Sequence, residues 1–199
     1  MSGFADTPVL EGRLARLEPL GPEHAADLAR AVAEGDLWRK WAARIPSPDE
    51  MAEDIARRRA QAAEGALVPW AVCRATTGEA VGMTTFLHLD EVNRRLEIGS
   101  TWLGRAVQGT GINADAKLLQ LTRAFDVLRC NAVEFRTHWH NRQSRAALER
   151  LGAKQDGVLR SHQVWKDGSL RDTVVYSILA IEWPAVRSGL EERVAAVRQ

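Results

Sequence analysis

Apolar residues along this chain keep a helical period, then a period of two, then alternate between them, and these switches lay out the elements. Between Leu10 and Leu20, Leu14 and Leu17 stand among arginines and the run stops at Pro19, which reads as a first strand. Gly21-Pro22 starts a helix with proline at its first position. Ala25, Leu28, Ala29 and Val32 form its apolar stripe, and Gly35 ends it. Ser47-Pro48-Asp49-Glu50 combines a capping serine, a proline and a capping-box glutamate, and opens a second helix that runs to Gly65. Its few large apolar residues, Met51 and Ile55, make it a surface helix. Arg57-Arg58-Arg59 is then a solvated face, a phosphate contact being the lesser reading. Residues 1–9 read as a short disordered or edge segment.

The period then falls to two. Residues 70–75 and 80–90 flank the turn Thr76-Thr77-Gly78-Glu79, and residues 91–95 turn the chain again into a third strand, 96–103. Strict alternation there puts Leu96, Ile98, Ser100 and Trp102 on one face and Glu97, Gly99, Thr101 and Leu103 on the other. Gly99 suggests a bulge or a close backbone approach. A carboxylate at Glu97 between Leu96 and Ile98 is out of place in such a strand; it is either a salt-bridged edge residue or a functional one. A long helix comes next, with Ala114, Leu118, Leu121, Phe125 and Leu128 on its packed face. Residues 132–139 alternate as a strand through Val133, Phe135, Thr137 and Trp139. A crossover helix separates it from 96–103, so the two should run parallel. A short helix over 145–151 stops at Gly152, and residues 158–165 and 170–179 make a last hairpin around Asp167-Gly168. Val186, Leu190 and Val194 mark a C-terminal amphipathic segment.

Composition narrows the class without naming a function. The 199 residues suit one domain spanning 1–199, with 45% hydrophobic and 27% charged residues as in ordinary globular proteins. A net charge of +1 supplies no field for nucleic acid or membrane. The two cysteines, Cys73 and Cys130, lie in apolar runs, so a disulfide framework is not expected and a reducing compartment is. With no leader-like start and no apolar run near the roughly 20 residues of a membrane helix, the expected location is cytoplasmic.

The stretch that carries chemistry is Gln108-Gly109-Thr110-Gly111-Ile112-Asn113, between the third strand and the long helix. Two glycines let backbone and ligand approach closely, and a helix N-terminus offers unpaired N–H groups and a positive dipole end to a phosphate. The Lys-Ser/Thr pair of a P-loop and the third glycine of the dinucleotide fingerprint are both missing. The stretch resembles the pyrophosphate loop of the GCN5-related N-acetyltransferases (GNAT), Gln/Arg-x-x-Gly-x-Gly/Ala, with Asn113 where a small residue is usual. Leu96-Glu97-Ile98-Gly99 resembles that family's fourth strand. Asn141-x-x-Ser144 with Leu151-Gly152-Ala153 resembles the segment after its fifth. Residues 157–160 with 171–177 are similar to the RimJ/RimL branch, which includes ribosomal-protein N-terminal acetyltransferases. The resemblance covers about residues 10–190. It implies an α+β fold with a mixed, mostly antiparallel sheet of about seven strands, flanked by helices and splayed between strands 4 and 5.

For function, the resemblance implies acetyl-CoA-dependent acetylation of a primary amine, such as a protein N-terminal α-amino group. Gln108, Gly109, Thr110, Gly111, Ile112, Asn113, Asn141 and Ser144 would hold acetyl-CoA. A backbone N–H near Trp102 or Leu103 would meet the oxyanion. Glu97, directly or through a water, is the candidate base, its apolar neighbours tending to raise its pKa. Ser144 inherits the hydrogen bond to the leaving thiol, because the tyrosine often found near position 148 is Leu148 here. His88 and His138 are the alternative bases. A His138-x-His140 metal site is not expected, since no third ligand stands at ligand spacing. For Trp38, Trp41, Tyr176 and Trp165 two readings stand, core packing or a wall for the acceptor. Asn113 must point away from the pyrophosphate or bond to it. A CoA-binding module without catalysis, an enzyme for small amines and one for longer acyl chains stay open, as does a homodimer through the C-terminal strands.

Overall fold

In the computed structural model, which describes residues 3–197, eight strands form one sheet in the order β1-β2-β3-β4-β5-β6-β8-β7. They are β1 Leu10–Glu11, β2 Ala15–Pro19, β3 Val68–Arg74, β4 Ala80–Asp90, β5 Arg95–Leu103, β6 Ala132–His138, β7 Lys154–Val164 and β8 Leu170–Leu179. Neighbours are antiparallel except β5 and β6, which run parallel as the crossover required. Eight strands stand where about seven were expected because the first run is broken. The Gly12 amide bonds back to the Ala15 carbonyl, and Leu10 folds onto Leu17 as a two-residue strand of its own.

The helices are α1 Ala25–Ala33, α2 Met51–Ala63, α3 Ile112–Thr122, α4 Arg142–Leu151 and α5 Trp183–Ala195. One sheet face packs Leu96, Ile98, Val133 and Phe135 against Ile112 and Leu121 of α3 and Leu190 of α5. The other packs Met83 and Trp102 against Leu28 and Val32 of α1 and Met51 and Ile55 of α2. The capping box forms, with Ser47 and Glu50 exchanging bonds at 2.9 and 3.3 Å. Arg58 corrects the expected solvated face: it is buried, ion-paired to Asp54, and reaches Thr85 on the sheet. The long helix expected over 114–128 ends as α-helix at Thr122 and continues as a wider π turn, Arg123–Val127, which still buries Phe125. The N-terminal segment is not loose either. Phe4 sits in the core, Arg123 donates to the Gly3 and Asp6 carbonyls, and Trp70 Nε1–H to that of Pro8. Residues 1 and 2 of that segment lie outside the described residues. Among those described, no helix is long and apolar enough to cross a membrane.

Two features of β5 shape the space beside it. Its pairing with β6 covers only Arg95–Ala132, Leu96–Val133 and Glu97–Glu134, after which the strands part. Against β4 the register slips between Thr85–Gly99 and Met83–Trp102, leaving one extra residue on β5 with Ser100 at φ +48°. That extra residue swaps faces for the rest of the strand. Thr101 and Leu103 now lie on the α3 side with Leu96 and Ile98, while Trp102 joins Glu97 and Gly99 on the α1–α2 side. The alternation expected over 96–103 therefore holds to Gly99 and is inverted beyond it.

Candidate active site

Where β5 and β6 part, a cleft of about 670 Å³ opens. At one end lie the loop before α3, the first turns of α3 and α4, and the far turns of α4 and α5. At the other lie the segment 40–45, the outer end of β4 and the β7–β8 hairpin.

The first end is built from unspent backbone donors. The amides of Gly109, Gly111, Ile112 and Asn113 make no hydrogen bond among the described residues, as a helix start requires. Asp115, the acid of the first turn, is turned away and accepts from the Leu14 and Ala15 amides on β2. Gly109 has φ +81°, lines the cleft, and would carry a side chain into open space. Gly111 has φ +89°, but a Cβ there would meet Val197 at 2.6 Å and Leu14 at 2.9 Å. Its glycine answers to protein packing, which corrects the expectation that it faces the ligand. Ile112 is likewise buried in the core and Thr110 is spent on the Val107 carbonyl, so their side chains do not line the cleft. Asn113 is exposed on the cleft, which favours bonding a ligand over turning away. Gln108 ties the loop to the Leu103 carbonyl at 3.0 Å. Arg150 and Arg193 complete this end. Its donors and cations fit a phosphate-bearing ligand.

In the middle, Gly104 N–H bonds to Val81 on β4 at 2.8 Å. One residue earlier, the Leu103 N–H must point the other way, into the gap. Of the two expected oxyanion donors, Leu103 is thus the one so aimed. Trp102 instead packs its ring into the α1–α2 core, with Nε1–H buried beside the cleft and unpartnered among the described residues. Asn141 caps α4, its Oδ1 accepting from the Ser144 amide at 3.1 Å. The Asn-x-x-Ser spacing is therefore a helix N-cap, which fixes Ser144 on the cleft wall beside Leu148.

Glu97 is the last β5 residue paired with β6 and is 5% exposed. Its Oε2 lies 2.9 Å from His88 Nδ1 and 3.5 Å from Arg136 Nε. Burial raises its pKa above the usual carboxylate range, with His88 and Arg136 opposing. A carboxylate so held is a better proton acceptor than an ordinary exposed one. His138 behaves otherwise. Its Nδ1 accepts the His140 amide at 3.1 Å, so the neutral ring carries its proton on Nε2. That N–H is buried, lacks a partner among the described residues, and lines the cleft. Burial and Arg171 draw its pKa down. As folded, His138 is a donor, which counts against its role as alternative base.

The other end is roofed by a strap. Trp41 Nε1–H bonds Asp167 at 2.5 Å, Trp165 Nε1–H bonds the Trp41 carbonyl at 2.7 Å, and Lys166 reaches the Lys40 and Ala43 carbonyls. Trp41 lies over the His138 ring at 4.7 Å without lining the cleft, whereas Trp165 lines it. Two expected acceptor residues are elsewhere. Trp38 packs on the α1–α2 core, and Tyr176 is wholly buried with its hydroxyl held by Glu149 and Arg145.

Lys117 is a site residue that the sequence pattern did not single out. It lies three residues after Ala114 and four before Leu121, so the same spacing that revealed the packed face would have exposed a lysine in it. Its ammonium is buried under the cleft floor, bonded to Thr84 and Thr101 at 3.2 Å and Gln120 at 2.8 Å, with no carboxylate partner among the described residues. Burial lowers its pKa to about 7. The cleft as a whole is basic. Among the described residues, Lys40, Arg44, Lys117, Arg136, Arg150, Arg171 and Arg193 line it against the single carboxylate of Glu97. A trio of half-buried Glu18 with buried His24 and Cys73 stands among residues that do not line it, with His24 already bonded to Glu18 and the Gly21 amide.

Residues 15–154 match the family model described as an acetyltransferase (GNAT) domain. Among curated proteins, "Putative ribosomal N-acetyltransferase YdaF" of Bacillus subtilis is 37% identical over 106 residues, 53% of this chain and 57% of that protein. The matched part thus spans little more than half of that relative. A GCN5-related N-acetyltransferase from Brucella melitensis superposes with a TM-score of 0.87 at 28% identity, over 96% of this chain and 87% of that one. Mycobacterium smegmatis RimJ, solved in complex with CoA-disulfide, shares the fold with a TM-score of 0.79 at 23% identity, over 96% of each chain.

Proposed function

This chain belongs to the GNAT acetyltransferase family, and we propose that it transfers acetyl from acetyl-CoA to a primary amine, with a peptide N-terminal α-amino group as acceptor. The observation that carries this reading is Glu97, the one carboxylate among the cleft-lining residues, set where β5 and β6 part. An α-amino group has a pKa of about 7.7–8 against about 10.4 for a lysine side chain, so a weak base suffices for it.

Acetyl-CoA supplies, when bound, a thioester carbonyl open to a neutral amine. The free amides of Gly109, Gly111, Ile112 and Asn113, the Asn113 side chain, Arg150 and Arg193 fit its phosphates. Leu103 N–H would donate to the carbonyl oxygen as it gains charge. Glu97, with its raised pKa, would take the proton that the attacking amine must lose. The Ser144 hydroxyl would donate to the departing sulfur. The RimJ structure that shares this fold was solved with CoA-disulfide, which supports CoA as the carrier.

The test is thiol release from acetyl-CoA with three acceptor sets: N-terminal peptides, the same peptides blocked at the terminus but carrying lysine, and small free amines. The reading expects the free-terminus set to be preferred, with mass spectrometry locating acetyl on the α-nitrogen. Release only with small amines would sink the peptide acceptor. Acetyl-CoA binding without release from any set would leave a silent binding module.

A further inference from the structure

Resting on the acyltransfer reading above, we infer that the acceptor carries carboxylates beside its amine, as an acidic N-terminal peptide does, and that Arg171 and Arg44 around Trp165 form the clamp for them.

Three observations lead there. Among the described residues, the unpartnered buried side-chain atoms on the cleft are Trp102 Nε1, His138 Nε2 and Arg171 Nε, all of them N–H donors. A buried donor without an acceptor is costly, on the order of 1–3 kcal/mol, so the ligand that fills this cleft brings oxygens. The second is charge. At the strap end Arg136 is held by Glu134 and Glu97, but Lys40, Arg44 and Arg171 line the cleft without an ion-pair partner among the described residues, although the whole chain is only +1. The nearby acids are spent: Asp167 is bonded to Trp41 and Ser169, and Asp172 accepts the Ser161 amide.

The third is geometry. The Arg44 and Arg171 guanidinium carbons lie 4.6 and 4.7 Å from Trp165 ring centroids, and the His138 ring meets Trp165 edge-on at 5.4 Å. Burial and the neighbouring Arg44 both draw the Arg171 pKa down. Two guanidinium groups therefore stack on one indole and repel each other, and carboxylates bound beside them offset that repulsion. The arrangement also serves the reaction. A cationic wall disfavours the ammonium form of the incoming amine, and the carboxylates that accompany it offset the wall. A lysine-rich acceptor would be repelled.

The experiment compares acetyl transfer to peptides that share a first residue and continue as Asp-Glu, as Asn-Gln, or as Lys-Lys, with free aspartate as a further acceptor. The native enzyme should favour the acidic peptide over the neutral one at least tenfold in kcat/KM, mostly through KM, with the lysine peptide weakest. The preference should shrink at high salt. In Arg171→Gln and Arg44→Gln the acidic and neutral peptides should converge, through loss of the acidic peptide's KM advantage, while the melting temperature stays near native. Arg171→Lys should restore part of the preference. If free aspartate shares the preference and the acidic peptide does not, the carboxylate clamp stands and its source is a small acid. Equal use of acidic and neutral peptides by the native enzyme overturns the clamp and leaves the acyltransfer reading standing. No transfer to any acceptor overturns that reading first.

Discussion

Lys117 should make stability depend on pH in a way that can be worked out beforehand. Its ammonium is buried among two threonine hydroxyls and a glutamine oxygen, and burial takes its pKa to about 7. In the unfolded chain it titrates near 10.4. Between those values the unfolded state binds the proton and the folded state does not, so unfolding free energy rises with pH by up to about 1.4 kcal/mol per unit. Below about pH 7 the folded protein carries the whole penalty, on the order of 4 kcal/mol. Lys117→Met removes the charge and roughly keeps the volume. The groups it leaves still bond one another, Thr84 to Thr101 at 2.7 Å and Thr84 to Gln120 at 3.0 Å. The variant should therefore be the more stable protein at pH 7, with its advantage shrinking by about 2 kcal/mol by pH 9. The difference between the two proteins must be read, because Cys73 and Cys130 act the other way. Burial pushes their thiols up to about 12 and about 11, so the folded state keeps protons that the unfolded chain gives up above about 8.5. That loss of stability with rising pH is common to both proteins and cancels. Urea unfolding of the pair at pH 7, 8 and 9 measures the gap. A gap that stays constant with pH would mean Lys117 is solvated in the folded protein and that the packing beneath the cleft is wrong.

Glu97→Gln should lower turnover about 10²-fold or more, and the acid limb of the native pH–rate profile should lie above the ordinary carboxylate range and vanish in the variant. Because the folded-state pKa is the raised one, Glu97 lends stability at low pH that is lost as pH rises through that value; the variant should melt higher than the native protein above it, and a lower melting temperature there would refute the burial account. Gly109→Val should weaken acetyl-CoA at least tenfold in a folded protein, read by calorimetry, whereas Gly111→Val should chiefly lower the melting temperature, since its side chain meets Val197 and Leu14. Ser144→Ala should cut turnover and leave acetyl-CoA affinity unchanged, because the α4 cap uses only the Ser144 amide; lost affinity with normal turnover would make Ser144 a binding contact. Asn141→Ala should cost about 1 kcal/mol of stability by removing that cap.

Local rules carried much of this fold, and the places where they stopped are physical. The Ser47–Glu50 capping box, the parallel β5–β6 pair and the Asn141-x-x-Ser144 segment each rest on a spacing that one stretch of chain fixes alone. The extra residue at Ser100 does not. It was foreshadowed by Gly99, but its effect on Thr101, Trp102 and Leu103 comes only from pairing with β4, a separate strand whose register β5 alone does not encode. Glu97 stood out because a carboxylate breaks an apolar strand. Lys117 broke its helix face as plainly, and was masked because Leu118 supplied an apolar residue one position on. Trp165 and Arg171 flank the turn of one hairpin and its pairing brings them close, but Arg44 comes from a distant segment that no spacing could join to them; the strap bonds from Trp41 and Lys166 bring it to the same wall. The two ends of the cleft differ for that reason. The loop of residues 108–113, whose free amides fit phosphate, is one continuous stretch held by backbone geometry and can be read from the chain, whereas Arg150 and Arg193 beside it come from α4 and α5. The end proposed for the acceptor joins side chains of the sheet to those of the distant segment 40–45, whose exposed residues can change without disturbing the strands, so it is where specificity can vary on a constant fold and where the sequence alone is silent.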